Sequence, residues 1–147
     1  MYFEDYSVGM EFESGGRTVT DSDIRMFIGA TNATHDAHLD AEFAKKHPFG
    51  RIAIQGVLLL GIVDGFVTAT IVSQRRRVMH YGYNKIWFLK PVFVGDTVRM
   101  KCVIAETTVR NDEFGTIRMD QKILNQDHEL VCVIDDISMI ERRPQDA

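Results

Sequence analysis

Hydrophobic and polar positions alternate through the second half of the chain. Val98, Met100, Cys102 and Ile104 fall on one side of an extended backbone, and Arg99 and Lys101 fall on the other. The same period returns at Ile117, Met119, Gln121 and Ile123, after a turn predicted at "NDEFG". The stretch "ELVCVIDDISMIE", 129–141, closes the series. Upstream, residues 81–107 are rich in aromatic and β-branched side chains, with Pro91 and Gly95-Asp96 as breaks. Strands that follow one another through short turns predict an antiparallel meander.

The first half follows a helical period. In "TVTDSDIRMFIGAT", Thr20 is the predicted N-cap, Asp21 and Asp23 lie in the first turn, and Ile24, Phe27 and Ile28 form the apolar stripe. "DAEFAKK" predicts a second, short helix capped by Asp40. Residues 52–72 are apolar almost throughout and long enough to suggest a membrane span. Gln55, Asp64 and the glycines Gly56, Gly61 and Gly65 interrupt them, so the better expectation is a helix over 56–73, apolar nearly all round and buried in the core. Arg75, Arg76 and Arg77 suit its C-terminal end, where the dipole favours cations. Such a helix can cover the apolar face of the sheet. The expected class is α+β, an antiparallel sheet wrapped around one long central helix, with 1–147 as a single domain.

Composition narrows the function. With 45% hydrophobic residues the chain can bury a core, and its net charge of −4 argues against a nucleic-acid partner. Cys102 and Cys132 sit in apolar, strand-like surroundings and read as reduced core residues. "MYFEDYSVGM" lacks the basic and apolar regions of a signal peptide, so a cytoplasmic protein without a membrane partner is expected, and the tail "RRPQDA" reads as a frayed end. No P-loop, dinucleotide fingerprint or nucleophile elbow is present. Neither cysteine lies near a histidine in sequence, and Ser22 and Ser73 have no evident partners.

The densest chemistry lies in "GATNATHDAHLDAEFA", which holds His35, Asp36, His38 and Asp40. These are metal-ligand types, but the spacing H-D-x-H-x-D matches no helical metal motif, and His47, His80 and His128 are distant in sequence. No metal and no cofactor are expected. Gly56 opens the apolar helix, and a residue without a Cβ lets a ligand approach its backbone N–H.

Three blocks, "TVTDSDIRMFIGATN", "HLDAEFAKKHPFGRIAIQGVLLL" and "FLKPVFVGDTV", resemble the MaoC-like dehydratases and (R)-specific enoyl-CoA hydratases of the hot-dog fold, in order and at about the family's spacing. The resemblance implies reversible addition of water to a 2-enoyl thioester of the acyl-CoA type, and at least a homodimer. It makes His38, in its His-x-Asp context with Asp40, a proton-transfer group and Gly56 the donor to the thioester carbonyl. Asp40 itself reads mainly as an N-cap. The chain departs from the family at one point: the aspartate expected five residues before the histidine is replaced by Ala33. If the segment is extended, Asp36, His38 and Asp40 point the same way and Asp36 takes over that role. His35 is a second candidate proton carrier, and Gln55, where many relatives have histidine, reads as a positioning residue. A thioesterase, or a non-catalytic thioester-binding homologue, are the alternatives that Ala33 leaves open. Candidates for the phosphates of CoA are Lys45, Lys46, Arg51, Lys90 and Arg75–Arg77, and candidates for an acyl tunnel are Phe43, Phe49, Trp87 and Phe88.

Overall fold

The computed structural model describes residues 1–72 and 75–144. Strand β4 (Thr97–Val109) carries the alternation read from the sequence. Val98, Met100, Cys102 and Ile104 are at most 1% exposed, while Arg99, Lys101 and Val103 face solvent. The sheet runs β1 (Glu11–Glu13), β4, β5 (Phe114–Leu124), β6 (Leu130–Glu141), β3 (Val78–Phe88), with every neighbouring pair antiparallel. A short β2 (Arg17–Thr18) also pairs with β4. Among the described residues, β6 is the one strand that β3 pairs with, so β3 is an edge.

Helix α3 (Gly56–Thr70) fills the curve of the sheet. Leu58, Leu59, Ile62, Val63, Phe66 and Val67 are buried in one core with Met100, Ile104, Ile117, Met119, Ile123 and Ile134. Each such side chain contributes about 1.5–3 kcal/mol by leaving water. The helix is not buried all round, as its sequence suggested. Val57, Gly61, Asp64, Gly65 and Ala69 are exposed along one stripe, because only the stripe facing the sheet is covered. The helix stops at Thr70, and residue 73, the last of the expected span and the site of Ser73, lies outside the described residues. Among the described residues no helix is long and apolar enough to cross a membrane.

Helix α1 (Asp21–Thr31) starts on a capping box. The Thr20 hydroxyl accepts from the Asp23 N–H, and the Asp23 carboxylate accepts from the Thr20 N–H at 2.8 Å. That bond, with help from Arg17, holds the Asp23 carboxyl below its ordinary range. Asn32 ends the helix in the left-handed region, with its N–H on the Ile28 carbonyl. The basic tail is tied rather than frayed as far as it is described: Arg142 pairs with Glu4 at 2.9 Å and Arg143 with Asp5 at 2.7 Å. Arg76 and Arg77 are likewise held, one over the Tyr2 ring and the other between Glu113 and Glu141.

Candidate active site

The entrance to α3 is fixed from behind. The Ile54 N–H donates to the Val92 carbonyl at 2.9 Å, and Ala53 bridges to Phe93. Gln55 occupies the N-cap, but its side chain caps nothing. First-turn N–H groups have no partner within a helix, so those of Gly56 and Val57 stand at the positive end of the dipole, where a ligand oxygen can meet them. The Phe88 ring lies against Gly56, and a Cβ there would come within 2.8 Å of its Cζ.

His38 ends a 3-10 turn, Asp36–His38, that follows α1. Its Nδ1 lies 2.7 Å from the Ala53 carbonyl. A carbonyl can only accept, so Nδ1 carries the proton and Nε2 keeps a lone pair. His35 caps the same turn by accepting from the Ala37 N–H, and its ring meets that of His38 edge-on at 6.1 Å. His35, His38, Gly56, Leu59 and Phe88 all line one mainly apolar cavity of about 430 Å³, which is the size of a small-ligand site.

The structure separates the other expected residues from this group. Asp36 was expected to point with His38 along an extended segment. The segment is instead a 3-10 turn, where residues two apart diverge around the axis, and the exposed Asp36 does not line the cavity. Asp40 accepts from the Glu42 and Phe43 N–H groups as the N-cap of α2 (Ala41–Lys46), and it too is outside the cavity lining. Gln55 is only 5% exposed, with neither amide atom hydrogen-bonded, and it also lies outside the lining. Among the described residues no carboxylate lines the cavity. Among the described residues no group of three or more His, Cys, Asp or Glu is placed to hold a metal ion. Of the aromatic candidates, Phe49 and Phe88 line the cavity, while Phe43 and Trp87 are exposed away from it.

A second polar group went unread in the sequence. Asp136 and Gln121 sit on the core face, 5% and 2% exposed, and Gln121 Nε2 donates to Asp136 Oδ2 at 3.0 Å. His80 Nε2 stands 3.1 Å from Asp136 Oδ1, too poorly aligned to satisfy it as a hydrogen bond. Register shifts in β3, between His80 and Gly82 and between Tyr83 and Lys85, set Tyr83 opposite Asp136 and His80 opposite Ser138. In a regular strand positions 80 and 83 would face opposite ways; the extra residue in between turns both rings to one side, where they meet at 4.3 Å. Burial raises the Asp136 carboxyl above its ordinary range, opposed by His80 and Gln121 and aided by Asp64. The alternation at Gln121 was visible, but the bulges that complete the group depend on the partner strand.

Comparison with known proteins identifies the family. A family model for the MaoC like domain matches residues 5–123. The (R)-specific enoyl-CoA hydratase of Rhodospirillum rubrum is 31% identical over 97 residues, 66% of this chain and 65% of that protein. Protein MaoC of Klebsiella aerogenes is 30% identical over 111 residues, 75% of this chain but only 32% of that one. The matches thus span from about a third to just under two thirds of these relatives' own lengths. A solved structure, a monoamine oxidase regulatory protein from Archaeoglobus fulgius, has a TM-score of 0.89 at 32% identity, covering 98% of this chain and 96% of that one. The sheet wrapped on one helix is the hot-dog fold. The chain belongs to the MaoC-like dehydratase family, among whose named relatives here are an (R)-specific enoyl-CoA hydratase and a 3-hydroxyacyl-thioester dehydratase.

Proposed function

We propose that the cavity binds a 2-enoyl thioester of the acyl-CoA type and adds water to it, and runs the reverse dehydration, with (R) stereochemistry. The observation that carries this is the pairing of His38 with the start of α3. One imidazole nitrogen is committed to the Ala53 carbonyl, which leaves the other as a base in the cavity that Gly56 also lines. In this scheme water gives a proton to His38 Nε2 as its oxygen bonds to the β-carbon. The π electrons move into the thioester, whose oxygen becomes an enolate held by the Gly56 N–H. The imidazolium then returns the proton to the α-carbon. Negative charge develops at the oxygen during the step, so a donor aimed there lowers the barrier. One histidine serves as both base and acid, which suits a cavity lined by no carboxylate.

The test follows loss of enoyl-thioester absorbance in crotonyl-CoA, with the product's configuration read by an (R)-specific dehydrogenase. His38→Ala is expected to lower kcat by about 10²–10⁴-fold. Asp36→Asn is expected to leave it within about twofold, since Asp36 stands outside the cavity lining. An equal loss in both variants sinks the single-histidine scheme and restores Asp36 as a partner. A second reading draws on Ala33 and the missing carboxylate: a homologue that binds thioesters without turning them over. Tight binding without turnover supports that reading, and release of free CoA supports a thioesterase.

We also propose that two copies pair along β3. Its unpaired edge shows Met79, Tyr81 and Trp87, which are 45%, 62% and 59% exposed, an apolar edge that pairing would cover. The buried thiols of Cys102 and Cys132, both free, suit the cytoplasm.

A further inference from the structure

The cavity is lined by cations as well as by its histidines, and the structure separates them. Lys90 is paired with Glu129 at 2.5 Å, so its charge is already met. Arg51 is different. Its guanidinium lies over the Phe93 ring, 3.8 Å from the centroid, and among the described residues it makes no ion pair and no side-chain hydrogen bond. Phe93 is braced edge-on by Phe49, whose ring packs at a tilt against His47. The contact holds the guanidinium over the ring and leaves its N–H fork unused. A planar fork held in place and unpaired is suited to a phosphate.

Arg51 also lines two smaller depressions beside the cavity. One of these is lined by Asp96, Asp127 and Glu129, which repel an anion. The other holds Lys45 beside Gly50, Ile52 and Val94, and no carboxylate. Lys45 is itself paired with Glu42 at 2.5 Å, so a phosphorylated tail leaving the cavity on this side, away from the carboxylates, meets Arg51 as the cation without an ion pair among the described residues. Resting on the thioester reading above, we propose that Arg51, held over Phe93, binds the phosphate of the substrate's pantetheine arm as it leaves the cavity. That phosphate is common to coenzyme A and to the prosthetic arm of a carrier protein. Arg76 and Arg77 do not compete for this role, since neither lines the cavity and Arg77 is already paired with Glu113 and Glu141.

The test uses one acyl group on three carriers: crotonyl-pantetheine, which has no phosphate, crotonyl-4′-phosphopantetheine, and crotonyl-CoA. The parent protein is compared with Arg51→Ala, Arg51→Lys and, as a charge control on the exposed face of β5, Lys122→Ala. Arg51→Ala is expected to raise KM about tenfold for both phosphorylated thioesters, leave the pantetheine thioester unchanged, and spare kcat. Arg51→Lys should fall between, since lysine keeps the charge but loses the fork and the stacking. An effect on both phosphorylated substrates assigns the shared arm phosphate, open to either source. An effect confined to crotonyl-CoA would move the contact to the nucleotide end and overturn the assignment. A loss equal on all three carriers, no loss on any, or the same loss in Lys122→Ala would overturn it too. If none of the three is turned over, the hydratase reading fails separately. Calorimetry with free 4′-phosphopantetheine then decides for Arg51: a tenfold weaker Kd in Arg51→Ala supports it, and an unchanged Kd refutes it.

Discussion

Gly56→Ala separates two reasons for a glycine at the start of α3. If Gly56 is there only to fit beside Phe88, alanine should cost stability. If it is there to expose its N–H to a thioester oxygen, alanine should cost activity. The added Cβ would lie 2.8, 2.9 and 3.1 Å from Phe88 Cζ, Cε2 and Cε1. Ordinary carbon contacts begin near 3.5 Å, so the ring must retreat by about 0.5–0.7 Å. Phe88 is 48% exposed and the close atoms are its far end, so the ring can swing outward. That movement costs about 1 kcal/mol or less, and alanine's better helix propensity returns part of it. The net change corresponds to a Tm shift of about 2–4 °C at most for a chain of this size. Losing access to an oxyanion donor costs far more, about 10²–10³ in kcat. The expected result for Gly56→Ala is thus a kcat lower by at least about a hundredfold with a nearly unchanged melting curve. Adding Phe88→Leu gives the Cβ room and should restore none of the activity. Activity that returns in the double variant would show that alanine acted only by pushing Phe88 into the cavity. Retained activity with a large fall in Tm would refute the oxyanion role outright.

The polar group under α3 and the cap of α2 give two further expectations. Burial holds the Asp136 carboxyl above its unfolded value, so the folded chain keeps a proton that the unfolded chain has lost. Stability from that proton is present at low pH and is lost as pH rises through the folded-state value. Asp136→Asn should therefore gain stability relative to the parent as pH rises from about 4 to 8, read by urea unfolding; a difference that is flat with pH rejects the assignment. Asp40→Ala should lower stability by about 1 kcal/mol through the lost cap and leave KM for crotonyl-CoA unchanged; a raised KM with normal stability would give Asp40 a place at the substrate after all.

Local chemistry was the part of this protein legible in one dimension. Thr20 and Asp40 announce helix starts because their oxygens serve N–H groups two or three residues away. Val98 to Ile104 announce a strand because its period needs nothing but the chain itself. The site was only half legible, since its geometry is set by contacts across long separations. His38 could be picked out, but the Ala53 carbonyl that fixes its tautomer is brought to it by the fold. Asp36 was misplaced because a 3-10 turn and an extended segment differ by a few backbone angles that the side chains do not dictate. Arg51 was one basic residue among several until Phe93 was folded beneath it.

The bond from His38 to Ala53 also bears on how this loop can change over time. Ala53 stands on the same short stretch that opens α3 at Gly56, and that stretch is tied to Val92 and Phe93. The imidazole is thus referenced to the frame that carries the Gly56 N–H, not to the loop that delivers it. Residues between Asn32 and Asp36 can drift in path and chemistry while the distance from imidazole to helix start stays put. A loop wired in this way keeps His38 and Gly56 in register whatever side chain stands at position 33.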